Sequence, residues 1–517
     1  MKQNQKKHCY FKRSQKSYRI LYGWIQTMIK PQRWIVAIIL TFFHINAATA
    51  GYLILKNTSD TTINCKVDGW TTSSGNNHDK NFEILPNQLV YVSPNPSQTN
   101  PIINWIQCGS YIQTRAMSIT SEGPDQTLIL NGKQNRVLNV ALYPYLPTMP
   151  DGDFTKLVKH VVETYQKQNP KVLLNAVLNE NVNIYSFTNL PTLLSANGFD
   201  VIELDVLYLG FLAQQGLINP VLDKDKPKNA LPVALKASTY KNDLWGIPSW
   251  LCMDFLFSTD KDITNNTSLK DLLTFLKKDS APSLIGNYNG SWRLPGMYIS
   301  SYVQTYGYDN VDNAMVMPPD KTVINNLISL TNTCANTKEV NKCTNNTYHD
   351  ASNGTTEKVF ALSEVSNDMG FSEQSFYINL YGYSQALYVT PTPWGDTPQP
   401  LLYSDSFVTS SKMCPNGSIC ADDAMAFISL MTSLDMKNYI VQSQDLSEGS
   451  PWRTLLVAND DFWQQSQIKD NPLYKQYKQV LTSAQPFPND FTDKSQTDME
   501  SQICKKLKAK QPSYVCD

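Results

Sequence analysis

The chain has 517 residues, with 44 Lys+Arg against 45 Asp+Glu, 41% hydrophobic residues, 17% charged residues and 29 Pro. Length sets a prior of about three domains or lobes, while this composition excludes a disordered chain and a coiled coil. The near-zero net charge hides an asymmetry: the first 50 residues hold nine Lys+Arg and no acid, so residues 51–517 carry 35 basic and 45 acidic groups, a net of −10. Such a remainder is an acidic protein, which argues against nucleic-acid binding.

Residues 34–43 form a short apolar run behind that basic flank, and Ala48-Thr-Ala50 closes it. This is the pattern of a secretory signal peptide, residues 1–50, cleaved after Ala50, with Met28 as an alternative start. The run falls short of the ~20 apolar residues that span a bilayer. An uncleaved anchor is the alternative. The mature protein is expected to be secreted or periplasmic, a monomer, and without a membrane segment.

Residues 51–135 predict a β-rich accessory module, from short runs such as Tyr52-Leu-Ile-Leu, Leu89-Val-Tyr-Val and Thr127-Leu-Ile-Leu between Asn, Ser, Gly and Pro clusters. No catalytic constellation falls in it. From Val137 the character changes. Leu138–Tyr143 predicts a strand. Phe154, Leu157, Val158, Val161, Val162 and Tyr165 then trace one face of a helix stopped at Asn169-Pro170. Strands over Val172–Leu178 and Phe199–Asp205 follow, so the order is strand, helix, strand: a βαβ unit in an α/β domain over 137–517. Ligands in such sheets bind beyond the carboxyl ends of strands, which points to Tyr143, Tyr145 and Asp205. Further helices are expected near 268–277, 321–332, 421–434 and 471–482.

The cysteines fit an oxidising compartment. Removing Cys9 with the signal leaves Cys65 and Cys108, Cys334 and Cys343, Cys414 and Cys420, and Cys504 and Cys516 as local pairs, with Cys252 left over. A leftover thiol is either a core residue or a reactive one. Cys252 ends Trp245-Gly-Ile-Pro-Ser-Trp-Leu-Cys, where a Gly-x-Pro turn and an apolar run suit a chain crossing between lobes.

A nucleophilic thiolate needs a group to take its proton. His160, in the amphipathic helix, and His349, in a polar loop, read as surface residues. A carboxylate base is therefore expected, from Asp200, Glu203, Asp205, Glu373 or Asp405. Asp405 ends a strand after Tyr403, and Tyr383 sits in Tyr381-Gly-Tyr-Ser-Gln385. Aromatic rings beside acids suit a flat, cationic or amino-bearing ring ligand, although tyrosines singly fill cores as well. No HExxH, CxxC, GxGxxG or GxxxxGK pattern occurs, so no metal, dinucleotide or nucleotide cofactor is expected.

Val140-Ala-Leu-Tyr-Pro-Tyr145-Leu-Pro, Phe199–Asp205, Leu231-Pro-Val-Ala-Leu235, Trp245–Cys252, Gly382-Tyr-Ser-Gln385 and Tyr403-Ser-Asp405 resemble, in order, segments of the thiaminase I (thiamine pyridinylase) family. The likeness spans roughly residues 137–485 and leaves the 51–135 module outside. It implies a two-lobed periplasmic-binding-protein type II-like α/β fold with its site in the cleft. It also implies a reaction in which the cysteine adds to the pyrimidine of thiamine, the thiazole leaves, and an amine or other nucleophilic acceptor displaces the enzyme. Cys252 would be the nucleophile, Asp405 would hold the aminopyrimidine, and Tyr143, Tyr145, Tyr383 and Tyr403, with Asp200 and Asp205, would line the cleft. One position departs: where the resemblance implies a Glu as base, this chain has Gln385, whose amide accepts no proton at neutral pH. Three readings follow. Another carboxylate such as Glu373 or Asp205 substitutes, or the chemistry is slow or directed at a related heterocycle, or the protein is an exported solute-binding protein.

Overall fold

The computed structural model describes residues 53–516 except 72–76, 93–101, 104, 110–111, 115–116, 119–125, 145, 148–153, 179–181, 183, 196–197, 259, 279–283, 286–292, 334–335, 338–339, 342–368, 373–386 and 515. The signal-like segment, Tyr145, Glu373, Tyr383, Gln385 and the Cys334 and Cys343 pair lie outside the described residues.

A mixed sheet carries the site. Its strands are β1 (Arg136–Ala141), β2 (Val172–Val177), β3 (Val201–Asp205), β4 (Ile247–Met253), β5 (Leu401–Thr409), β6 (Leu456–Val457) and β7 (Gln485–Pro486). In space the order is β2-β1-β3-β5-β4-β6, with β7 beside β5. β1 runs parallel to β2 and to β3, whereas β5 is antiparallel to both β3 and β4. The parallel β1–β2 pair is forced by its crossover helix α1 (Thr155–Gln168). That helix buries Leu157, Val158, Val161, Val162 and Tyr165 against the sheet, as the spacing predicts. Each such side chain is worth about 1.5–3 kcal/mol when fully buried. Phe154 is not its first helical residue but its N-cap, in a left-handed conformation with φ 65°.

Two local readings change. Asp405 stands in the middle of the nine-residue β5, not at a strand end. The Gly-x-Pro turn is instead the start of β4, with Pro248 inside the strand. Proline is tolerated there because the pairing with β5 is irregular between Pro248 and Trp250. After Met253 only Asp254 separates β4 from the strand Phe255–Ser258 of a second sheet, which pairs with Met369–Ser372 and Tyr388–Pro391. Buried Asp254 accepts a hydrogen bond from the Trp394 indole at 3.1 Å, which fixes the crossing.

The N-terminal region holds two small sheets and a two-stranded pair of Ile102–Ile103 with Met117–Ser118. Leu53–Asn57 lies between Leu89–Val92 and Gln126–Leu130, and Ile63–Thr71 lies between Asn77–Ile84 and Trp105–Cys108. Cys65 and Cys108 are register partners and form a disulfide. Leu53, Leu55, Ile63, Ile84, Ile106, Leu128 and Leu130 build a core of their own, which Leu173 of β2 joins. Gln134 and Gln166 both donate to the Ile129 carbonyl, at 2.8 and 2.7 Å, tying the region to α1. Disulfides also join Cys414 to Cys420 and Cys504 to Cys516. Among the described residues no helix is long and apolar enough to cross a membrane.

Candidate active site

Three adjacent strands set the geometry. Asp205 of β3 pairs with Asp405 of β5, Asp405 with Trp250 of β4, and Tyr403 with Cys252. Residues paired across strands share a face of the sheet, and alternate residues along a strand do too. Glu203, Asp205, Tyr403, Asp405, Trp250 and Cys252 therefore point to one side. For β4 this depends on a bulge. Pro248 faces Ser406 and Trp250 faces Asp405, so Ser249 is the extra residue. In a regular strand Trp250 and Cys252 would share the face of Pro248, the opposite one.

Tyr143 arrives from the end of β1. Its backbone N–H donates to Glu203 Oε2 at 3.0 Å, and its hydroxyl lies 3.0 Å from that of Tyr185. Burial pushes the Tyr143 phenol well above its ordinary value, and negative charge on Asp405, Cys252 and Asp205 pushes it further. Tyr185 is raised in the same way by burial, then by Tyr143, Asp205 and Asp405. Both phenols thus stay protonated at neutral pH and offer hydroxyl donors beside two carboxylates and a thiol. Cys252 is half-buried and, among the described cysteines, stands outside any disulfide. The Tyr403 ring stacks on Phe487 with centroids 4.4 Å apart. Its hydroxyl lies so near Gly296 that a Cβ there would come within 2.9 Å. Buried Arg453 holds Asp445 through two bonds of 2.7 Å and donates to the Pro147 carbonyl at 3.3 Å, anchoring the chain just after Tyr143.

Against Trp250 and Glu203 of this face lies a lysine that sequence reading missed. Lys437, on helix α2 (Leu434–Val441), is 1% exposed. Its ammonium donates to Ser249 Oγ, which in turn donates to Glu203 Oε1. It also sits 3.4 Å from the centre of the Trp250 ring. Burial brings Lys437 down to about 7, against the attraction of Glu203 and Asp405. Burial likewise raises Glu203, opposed first by Lys437.

Of the residues singled out from sequence, the structure gathers Tyr143, Glu203, Asp205, Cys252, Tyr403 and Asp405. It sets Asp200 elsewhere, before the other end of β3. There its carboxylate accepts from Asn139 N at 2.7 Å and from Asn139 Nδ2 at 3.2 Å. The Asp200 carboxylate also lies within 4.8 Å of the sulfurs of Cys414 and Cys420, which are bonded to each other. His160 is half-buried rather than on the surface, stacked on Tyr439 with centroids 3.8 Å apart. Tyr185 carried no sequence signal, since it lies in an aperiodic loop. Lys437 did carry one: it is three and four residues from Ile440 and Val441, on the apolar stripe of its helix.

No family model matches the chain. The curated thiaminase-1 of Paenibacillus thiaminolyticus is 23% identical over 358 residues, which are 66% of this chain and 81% of that one. The solved structure of Clostridium botulinum thiaminase I in complex with thiamin aligns with a TM-score of 0.56 at 19% identity, covering 72% of this chain and all of that one. The maltose/maltodextrin-binding domain of Bdellovibrio bacteriovorus bound to maltotriose aligns at 0.51 and 15%, covering 73% and 94%. In sequence and in fold the chain is thiaminase I-like, with an α/β domain of the type II periplasmic-binding-protein kind.

Proposed function

We propose that this protein is an exported thiamine-cleaving transferase. The observation that carries the reading is the placement of Cys252, Tyr403, Asp405 and Asp205 on one sheet face beside the Tyr143–Tyr185 pair. Cys252 forms a bond from sulfur to the pyrimidine ring of thiamine. The bond from the pyrimidine's methylene to the thiazolium nitrogen then breaks, its electron pair leaving with the neutral thiazole. An amine or other nucleophile next bonds to that methylene carbon, giving up its proton, and the ring regains its aromaticity as the carbon–sulfur bond breaks and the Cys252 thiolate leaves with the electron pair. Asp405 accepts from the aminopyrimidine, and the tyrosines wall the ring. The acidic remainder of the chain attracts a cationic substrate at long range.

Gln385 cannot serve as base, and it lies with Glu373 outside the described residues. With Glu203 held by Ser249, Lys437 and the Tyr143 N–H, and Asp405 on the substrate, Asp205 is the carboxylate of the shared face left for taking the thiol proton, directly or through one water. Its Oδ1 already accepts from Leu207 N at 3.0 Å, which fixes its rotamer. A second reading, an exported receptor for thiamine or a related heterocycle, is favoured by Gln385. Mass spectrometry of residues 51–517 with thiamine and excess pyridine or aniline separates the two. Released thiazole and a pyrimidine–amine adduct, both lost in Cys252→Ala, support the transferase. Intact thiamine with no adduct on Cys252 excludes it, and calorimetric binding would then support the receptor.

A further inference from the structure

The geometry points to Lys437 as a positioning residue of the candidate site: with Ser249 and Glu203 it clamps the β4 bulge that turns Trp250 and Cys252 toward Asp405. The bulge adds one residue, Ser249, and the lysine holds both it and the residue after it, Ser249 through its hydroxyl and Trp250 through its ring face. The Ser249 hydroxyl is used twice, accepting from Lys437 and donating to Glu203. Glu203 then reaches Tyr143 N with its second oxygen, so one chain of bonds fixes the nucleophile's strand and the tyrosine opposite it.

A bulge leaves a residue out of the ladder with one neighbour; here the Ser249 carbonyl still accepts from Ala458 N at 3.1 Å, while its side chain takes the lysine. Losing the clamp favours regular pairing, and regular pairing turns Cys252 to the far face of the sheet. A buried lysine and glutamate are costly to keep for stability alone, since apolar side chains of similar volume do as well. Their contacts with Trp250 and Tyr143 give them a part in aiming the site.

The test uses Ser249→Ala, which removes the bridge, Ser249→Thr, which keeps the hydroxyl, and the charge-neutral pair Lys437→Met with Glu203→Gln. Each is checked by thermal melting, then by the rate of Cys252 alkylation with iodoacetamide at fixed pH and by kcat and KM for thiamine. In Ser249→Ala and in the paired variant, alkylation should fall about tenfold or more and kcat about 10²-fold, the scale of a 1 Å misplacement, with KM within about threefold. Ser249→Thr should recover most of both. Folded variants that alkylate at the parent rate overturn the inference. Should Ser249→Ala melt, the paired variant decides in the same assay. The kinetic arm rests on the thiamine-cleaving reading, but alkylation does not. A parent that leaves thiamine intact defeats that reading, while the alkylation contrast still judges the clamp.

Discussion

The two ends of β3 make an instructive pair. Asp200 precedes it and Asp205 closes it, about 17 Å apart at about 3.3 Å per residue. Both are buried aspartates in one short segment. Asp200 is spent within the fold. Its carboxylate takes the Asn139 backbone and side chain, its N–H meets the Asn139 carbonyl at 2.8 Å, and its carbonyl accepts from Ser410 N at 2.9 Å. Asp205 instead lies abreast of Asp405 and in the electrostatic neighbourhood of Tyr143 and Tyr185. A residue type does not make a site; its cross-strand neighbours do.

The sharpest break of this comparison comes at the Asp205 end. Cys252→Ala should lower thiamine turnover by about 10³-fold or more while leaving the melting temperature nearly unchanged, read by product formation and calorimetry. Asp405→Asn should follow with a loss of about 10–100-fold in kcat/KM, since a charge-assisted bond is worth about 1.5–3 kcal/mol. Equal activity in that variant would remove Asp405 from the substrate.

At the other end the signs invert. Asp200→Asn should cost about 1–3 kcal/mol of stability in denaturant unfolding yet keep kcat per folded molecule within about twofold. A selective kinetic defect there would return Asp200 to the cleft. The smallest effect lies away from both ends, at His160. Burial lowers its titration, so the unfolded chain binds the extra proton, and stability should be lost as the pH falls through and below about 6.5. His160→Phe should flatten that slope in melts between about pH 5 and 7. An unchanged slope would assign the acid limb to other groups.

Much of the scaffold was legible beforehand because periodicity is a local signal. The strand–helix–strand run from β1 to β2, the strand ending at Asp205 and the helices Leu269–Phe275, Lys321–Thr331, Ile419–Met431 and Pro472–Ser483 fall where spacing predicts. The site was legible only in part. Cys252 stood out as the leftover cysteine, and Asp405 through its aromatic neighbour. Tyr185 did not, and the apolar stripe that flags Lys437 as buried names no partner for it, because each meets the site only across long sequence separations: Lys437 lies 188 residues from Ser249, and Tyr185 lies 42 from Tyr143.

By itself the sequence determined the export-like leader pattern, the α/β alternation, the acidic balance and a thiol with no obvious disulfide mate. Each is a matter of composition or near-neighbour spacing, which a chain carries before it folds. Only tertiary structure decided which face Cys252 would take. One unpaired residue at Ser249 reverses every side chain after it in β4, and a lysine from a distant helix meets both residues of that bulge. Strand phase has a period of two, so it is settled by pairing rather than by the residues of the strand alone.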